Sequence, residues 1–183
     1  MIGSAPVAGE DAKTRGRAWA VVAALCAVAG LGIGEAGWAI LDGKARAGGV
    51  AALAAGTILV VAGVFASRAP DPRPRMLVSF TDRAFDGVIL ASIAWVERVS
   101  EPSAAAGALM ALTAGFLAAY VRARGSALGY LVEEGAGTRA VRVGLISVSL
   151  IAGWTHWALF GVATWMLLVT LLRVSQVAKE ERA

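Results

Sequence analysis

Apolar runs and the polar breaks between them divide the chain into six segments that read as helices crossing a bilayer. A spanning helix needs about 20 predominantly apolar residues, because the hydrocarbon core offers the backbone no water. Ala18 to Leu41 meets that length, with Glu35 near its far end, and Gly49 to Ala66 is nearly as long and carries no charge. Arg68 to Arg75 is then a loop containing Pro70, Pro72 and Pro74, which do not continue a helix. Met76 to Val96 makes a third span, and it tolerates Asp82, Arg83 and Asp86 only at the interface or facing a wet cavity. Pro102 helps begin a fourth, Ser103 to Val121, which Arg122 and Arg124 close. From Val143 to Leu172 no acidic or basic residue occurs except His156, and one helix of that length would reach about 45 Å. The stretch is better cut near Gly153, Trp154, Thr155 and His156, giving a fifth helix that starts around Thr138 and a sixth that ends near Val174.

Composition agrees. Of 183 residues 58% are hydrophobic and only 16% charged, with a mean hydropathy of +0.70, far from the balance of a soluble globular domain. The expected fold class is therefore an all-α integral membrane protein of six transmembrane helices with a cytoplasmic-facing polar cavity. The predicted organisation is an N-terminal segment over 1–17, a membrane domain over 18–174 and a tail over 175–183. A signal peptide fits poorly, since the first apolar run is long for an h-region and further spans follow. Cys26, the one cysteine, lies in that run, which leaves no intrachain disulfide and no cysteine metal cluster and suits a small packing residue.

Charge sets the expected orientation. Cytoplasmic loops carry the excess of Lys and Arg. With six helices, every cation but Lys44, Arg46 and Arg98 falls on one side, so both termini are expected in the cytoplasm. The pI near 9.8 does not imply nucleic acid, because the basic residues are dispersed between apolar runs and form no exposed stripe.

The same count places Asp82 and Asp86 on the cytoplasmic side beside Arg122, Arg124, Arg139 and Arg142. The two acids, four residues apart, share a helix face, as do Arg139 and Arg142, three apart. Carboxylates suit Mg²⁺ held together with substrate phosphates, and guanidinium groups fork onto phosphate. A nucleotide-linked or phospholipid ligand follows.

With these residues in place, the chain resembles the CDP-alcohol phosphatidyltransferases, six-helix membrane enzymes with the signature DxxDGxxAR followed after eight or nine residues by GxxxDxxxD. Asp82 and Asp86 match the last two aspartates. The tract Tyr120-Val-Arg-Ala-Arg, with Arg139 and Arg142, looks like the phosphate-binding region of the bacterial phosphatidylinositol phosphate synthase branch. The resemblance, over roughly Gly49 to Gly153, implies phosphatidyl transfer from CDP-diacylglycerol to an alcohol with release of CMP. It further implies Mg or Mn as metal, Asp82 and Asp86 as metal ligands, Asp86 as general base, and Gly63, Ser67 and Arg68 on the nucleotide side. A homodimer in a bacterial plasma membrane is likewise implied.

The first half of the signature is missing. With Gly63 and Ala66 in the family's Gly and Ala slots, the leading aspartates become Leu59 and Ala62. With Arg68 in the Arg slot, they become Val60 and Gly63, and Val78 stands where the family has Gly. No acid occurs between Asp42 and Asp71. Asp42-Gly43-Lys44-Ala45-Arg46 mimics the lost half with one residue too few, on the opposite side of the membrane. Two function classes are thus expected: a divergent transferase whose activity the sequence leaves open, or a noncatalytic homologue that binds CDP-diacylglycerol or anionic phospholipid or serves as a membrane subunit. A transporter has less support, without the broken-helix repeat expected of one.

Structural readings stand beside these. Asp82 and Asp86 would also suit a first helical turn capped by Ser79 or Thr81, and the arginines would suit positive-inside anchors. His156 between Trp154 and Trp157 fits an interfacial aromatic belt, Glu133 and Glu134 a solvated loop, and Glu35 the outer interface. Gly30 with Gly34, and Gly107 with Ala111 and Gly115, have the spacing of close helix packing.

Overall fold

A computed structural model describes residues 8–129 and 136–180, with side-chain surroundings for 16–129, 138–172, 174 and 175. The described chain forms six helices and no strand: α1 (Ala8–Leu41), α2 (Ala45–Arg68), α3 (Arg73–Ser100), α4 (Pro102–Ala127), α5 (Ala136–Ala152) and α6 (Thr155–Glu180). Glu133 and Glu134 lie outside the described residues.

Each break has a local cause. Gly43 and Gly153 take φ +77°, a left-handed geometry that glycine adopts without a Cβ penalty. The amides of Lys44 and Trp154 then bond back to the carbonyls of Ala39 and Ser149, five residues earlier, closing α1 and α5 with Schellman turns. The long apolar stretch is therefore divided where its glycine was expected to divide it. At α3 the Asp71 carboxylate accepts the Arg73 amide at 2.9 Å, and Pro74 sits in the first turn, where it removes no helical hydrogen bond.

The helices run past their apolar cores. α1 starts ten residues before Ala18 and α6 continues six beyond Val174, since nothing in either flank breaks a helix. α3 begins three residues before Met76, which places Asp82 nine residues in and removes the first-turn explanation for the acids. Thr81 instead donates to the Leu77 carbonyl, one turn back.

Among the described residues, four helices are long and apolar enough to cross a membrane: Gly16–Leu41, Ala45–Arg68, Pro102–Ala127 and Thr155–Leu172. The molecule is an all-α membrane protein. α3 misses that standard through its charged residues, and α5, at 17 residues, through its length. Large apolar side chains such as Leu31, Phe80 and Trp157 point outward, while the interior is built heavily from alanine: Ala29, Ala36, Ala52, Ala62, Ala108 and Ala111. Lipid is as apolar as any core, so helices associate by close packing of small residues rather than by hiding large ones.

Glycines carry the closest approaches. Along α2, Gly49, Gly56 and Gly63 meet Leu150 and Ile151, Val143, and Arg139 of an antiparallel α5. On α4, Gly107 faces Leu159 and Gly115 faces Met166, so α4 and α6 run in the same direction. A Cβ on Gly30 or Gly34 would meet nothing within 4 Å beyond its own helix, contrary to their expected role. Gly32 packs on Ala55 and Gly37 on Val88 instead. Cys26 is buried in the core, as a packing residue should be.

Tryptophan marks one end of the bundle. Trp38, Trp95, Trp154 and Trp157 are exposed near the α1–α2, α3–α4 and α5–α6 turns, as in an interfacial belt. Arg98 lies over the Trp95 ring, 3.9 Å from its centroid. His156 packs edge-on against Trp157 and Phe160 and lies 3.2 Å from the Ser103 hydroxyl. Glu101 contacts the same nitrogen, Nδ1, at 3.9 Å, which ties the two turns together and is not the relay of a catalytic triad.

Candidate functional site

At the opposite end, α3 brings Asp82 and Asp86 inward against the start of α5 and the end of α4. Asp82 is 1% exposed and Asp86 2%. Arg142 Nη2 donates to both oxygens of Asp82 at 2.8 Å, Arg139 Nε donates to Oδ1 at 3.0 Å, and Arg83 Nη2 donates to Oδ2 at 2.6 Å. A carboxylate presents about four lone-pair sites, and these four contacts use them. Asp86 holds Arg142 Nε at 2.8 Å on Oδ1 and Arg83 Nη1 at 3.0 Å on Oδ2. Those two contacts are close but poorly directed, so among the described residues neither Asp86 oxygen has a hydrogen bond.

The backbone around the cluster makes room for it. A Cβ on Gly63 would fall 2.6 Å from Arg139 Nη1, so glycine there allows the guanidinium to lie against α2 on its way to Asp82. Gly115 offers its carbonyl to Arg83 Nη1 at 3.0 Å. Arg122 donates to the Ser79 hydroxyl at 3.1 Å, linking α4 to α3. Arg83, Arg122, Arg142 and Thr138 line a narrow polar crevice that Met166 and Val169 of α6 close from the side.

Most of the site residues expected from the sequence converge: Asp82, Asp86, Arg139 and Arg142 in one cluster, and Arg122 beside it. Arg124 is exposed on α4 and does not line the crevice. Of the nucleotide-side group, Gly63 is the floor for Arg139. Ser67 donates to the Val64 carbonyl of its own helix, and Arg68 is exposed as the last residue of α2. Arg83, read from the sequence only as a charge to be tolerated, proves central. Its i to i+3 relation to Asp86 was the available signal.

The described donor set offers a divalent ion two carboxylates, both already facing guanidinium groups. Among the described residues no group of three or more His, Cys, Asp or Glu comes together. Asp71, the nearest acid before Asp82 in the chain, is engaged at the start of α3 with the Arg73 amide. A metal at Asp82 would meet oxygens already taken by three guanidinium groups, which repel a second cation.

Comparison of the chain with family models, with curated proteins and with solved structures gave no significant match.

Proposed function

We propose that this chain is a noncatalytic relative of the CDP-alcohol phosphatidyltransferases that binds an anionic, phosphate-bearing group at its arginine cluster. All six helices cross a bacterial plasma membrane, α3 by turning its charged face inward and α5 as a short span. Both termini and the arginine cluster lie in the cytoplasm.

One observation carries the reading: every lone pair of Asp82 is engaged by arginine. In the transferases the resemblance points to, this carboxylate would hold a metal that stabilises the departing CMP. A guanidinium in its place is a fixed cation that cannot take substrate oxygens into a coordination shell or exchange ligands as a metal does. Asp86, the general base by resemblance, would need to reach a substrate proton. It is buried and faces two guanidinium groups. At the mouth of the crevice the half-buried Arg122 carries what guanidinium does well, charge-assisted hydrogen bonding to phosphate oxygens.

The test uses the purified chain in lipid with CDP-diacylglycerol, Mg²⁺ or Mn²⁺ and a panel of alcohols and phosphorylated alcohols. The expected outcome is no CMP release above background, together with saturable binding of glycerol 3-phosphate that R122A weakens. Robust CMP release that disappears in D86N would overturn the proposal.

A further inference from the structure

We infer that the tryptophan end of the molecule carries an acid-strengthened clamp: protonation of His156 draws the start of α6 onto Glu101 and Ser103 at the start of α4, and loss of the proton loosens the two turns from each other. This end lies opposite the arginine cluster, and the clamp works whatever ligand that cluster holds.

Helical register brings the groups together. Ser103 precedes Gly107 by four residues and His156 precedes Phe160 by four, so each stands one turn nearer the start of its helix on the same face. Gly107 packs on Leu159 and Phe160, and α4 and α6 run in the same direction, so Ser103 and His156 meet where that seam begins. His156 Nδ1 lies 3.2 Å from the Ser103 hydroxyl and 3.9 Å from Glu101 Oε2. Trp157 and Phe160 flank the ring edge-on, with centroids 5.1 and 5.5 Å away, and restrict its rotation.

His156 is the one histidine of the chain, and imidazole is the side chain that changes charge near neutral pH. A neutral ring holds Ser103 through a single neutral hydrogen bond. Once protonated, both ring nitrogens donate. Nδ1 then gives its proton to the hydroxyl in a charge-assisted bond, and the ring's charge attracts the Glu101 carboxylate.

Neighbouring charges leave this exchange undisturbed. α3 ends in Glu97 and Arg98, but Ser100 Oγ donates to Glu97 at 3.0 Å, and Arg98 is held by the carbonyl and the ring of Trp95. The last turn of α5 and the first turn of α6 contain no other charged residue. The partial positive charge at the start of α6 opposes a proton on His156, and the Glu101 carboxylate offsets it. Both side chains are open to water, His156 33% and Glu101 60%, so the clamp shifts an equilibrium a few-fold and does not decide the fold.

C26A/V99C/A152C is spin-labelled at the exposed ends of α3 and α5 and placed in lipid nanodiscs, where pulsed dipolar spectroscopy reads the separation of the two turns. On going from about pH 8 to about pH 5.5, the close population should grow about threefold relative to the distant one. E101Q removes a charge and no cap, since Glu101 makes no side-chain hydrogen bond to the α4 backbone. Both E101Q and H156Q, added singly, should abolish the pH response while keeping a monodisperse elution profile and helical circular dichroism. A distance distribution that ignores pH in the labelled protein, or a response that survives in either variant, would overturn the inference.

Discussion

At the scale of single residues, Asp82 and Asp86 look alike in the sequence and differ in the structure. Asp82 accepts from three guanidinium groups with its lone pairs saturated, whereas Asp86 touches two without a directed hydrogen bond. Removing one partner of a buried ion pair costs about 3–5 kcal/mol, because the remaining charge is left buried and uncompensated. D82N should therefore lose close to that amount, and D86N clearly less, when unfolding is followed by denaturant titration in micelles. Equal losses would mean that the two carboxylates are held alike. Arg139 adds a dependence on backbone, since its guanidinium occupies the space a Gly63 side chain would need. The spacing of Asp82 with Asp86 and of Arg139 with Arg142 was readable, because residues three or four apart share a helix face whatever surrounds them. That the two pairs meet each other was not readable, since it depends on how closely α5 approaches α2 and α3.

At the scale of elements, the close packing of α2 on α5 is where small residues do most. A Cβ on Gly56 would stand 2.2 Å from Val143 Cγ1. G56A should destabilise the protein by about 1–3 kcal/mol through overpacking, and V143A in the same chain should recover much of the loss. The check is a double-mutant cycle on the unfolding midpoint, in which additivity would show that the two residues do not meet. Gly30 and Gly34 give the opposite expectation. With nothing within 4 Å of either, G30A or G34A should raise stability by about 0.5–1 kcal/mol, the ordinary gain of alanine over glycine in a helix. Their spacing resembles a packing motif as closely as that of Gly107 and Gly115 does, which is why the sequence did not separate the used pair from the unused one. The helices themselves were legible, because apolar runs end at Gly43, at the prolines before Met76 and at Gly153, each with a local stereochemical reason. Their true ends were not, since charged residues stop a membrane span without stopping a helix, as α1 and α6 do.

At the scale of the whole molecule, the two ends differ in chemistry. One carries exposed tryptophans and the His156 contact, and the other the arginines of α3, α4 and α5. The proposed orientation predicts that impermeant maleimide applied to intact cells labels D42C and E101C, and labels D71C and S126C only after the membrane is opened. Buried Cys26 is first replaced by alanine. The reverse pattern would invert the molecule and place the arginine crevice outside the cell.

The glycines of α2 link these two ends mechanically. Gly49, Gly56 and Gly63 recur every seven residues along one contact line, and the first and last are about 21 Å apart. A bulkier side chain at Gly49 would push Leu150 and Ile151 outward and pivot α5 about its remaining contacts, like a beam on a fulcrum. The far end of that beam carries Arg139 and Arg142. A methyl group added on the tryptophan side would thus be felt as a change of electrostatics on the arginine side, with no charged residue altered.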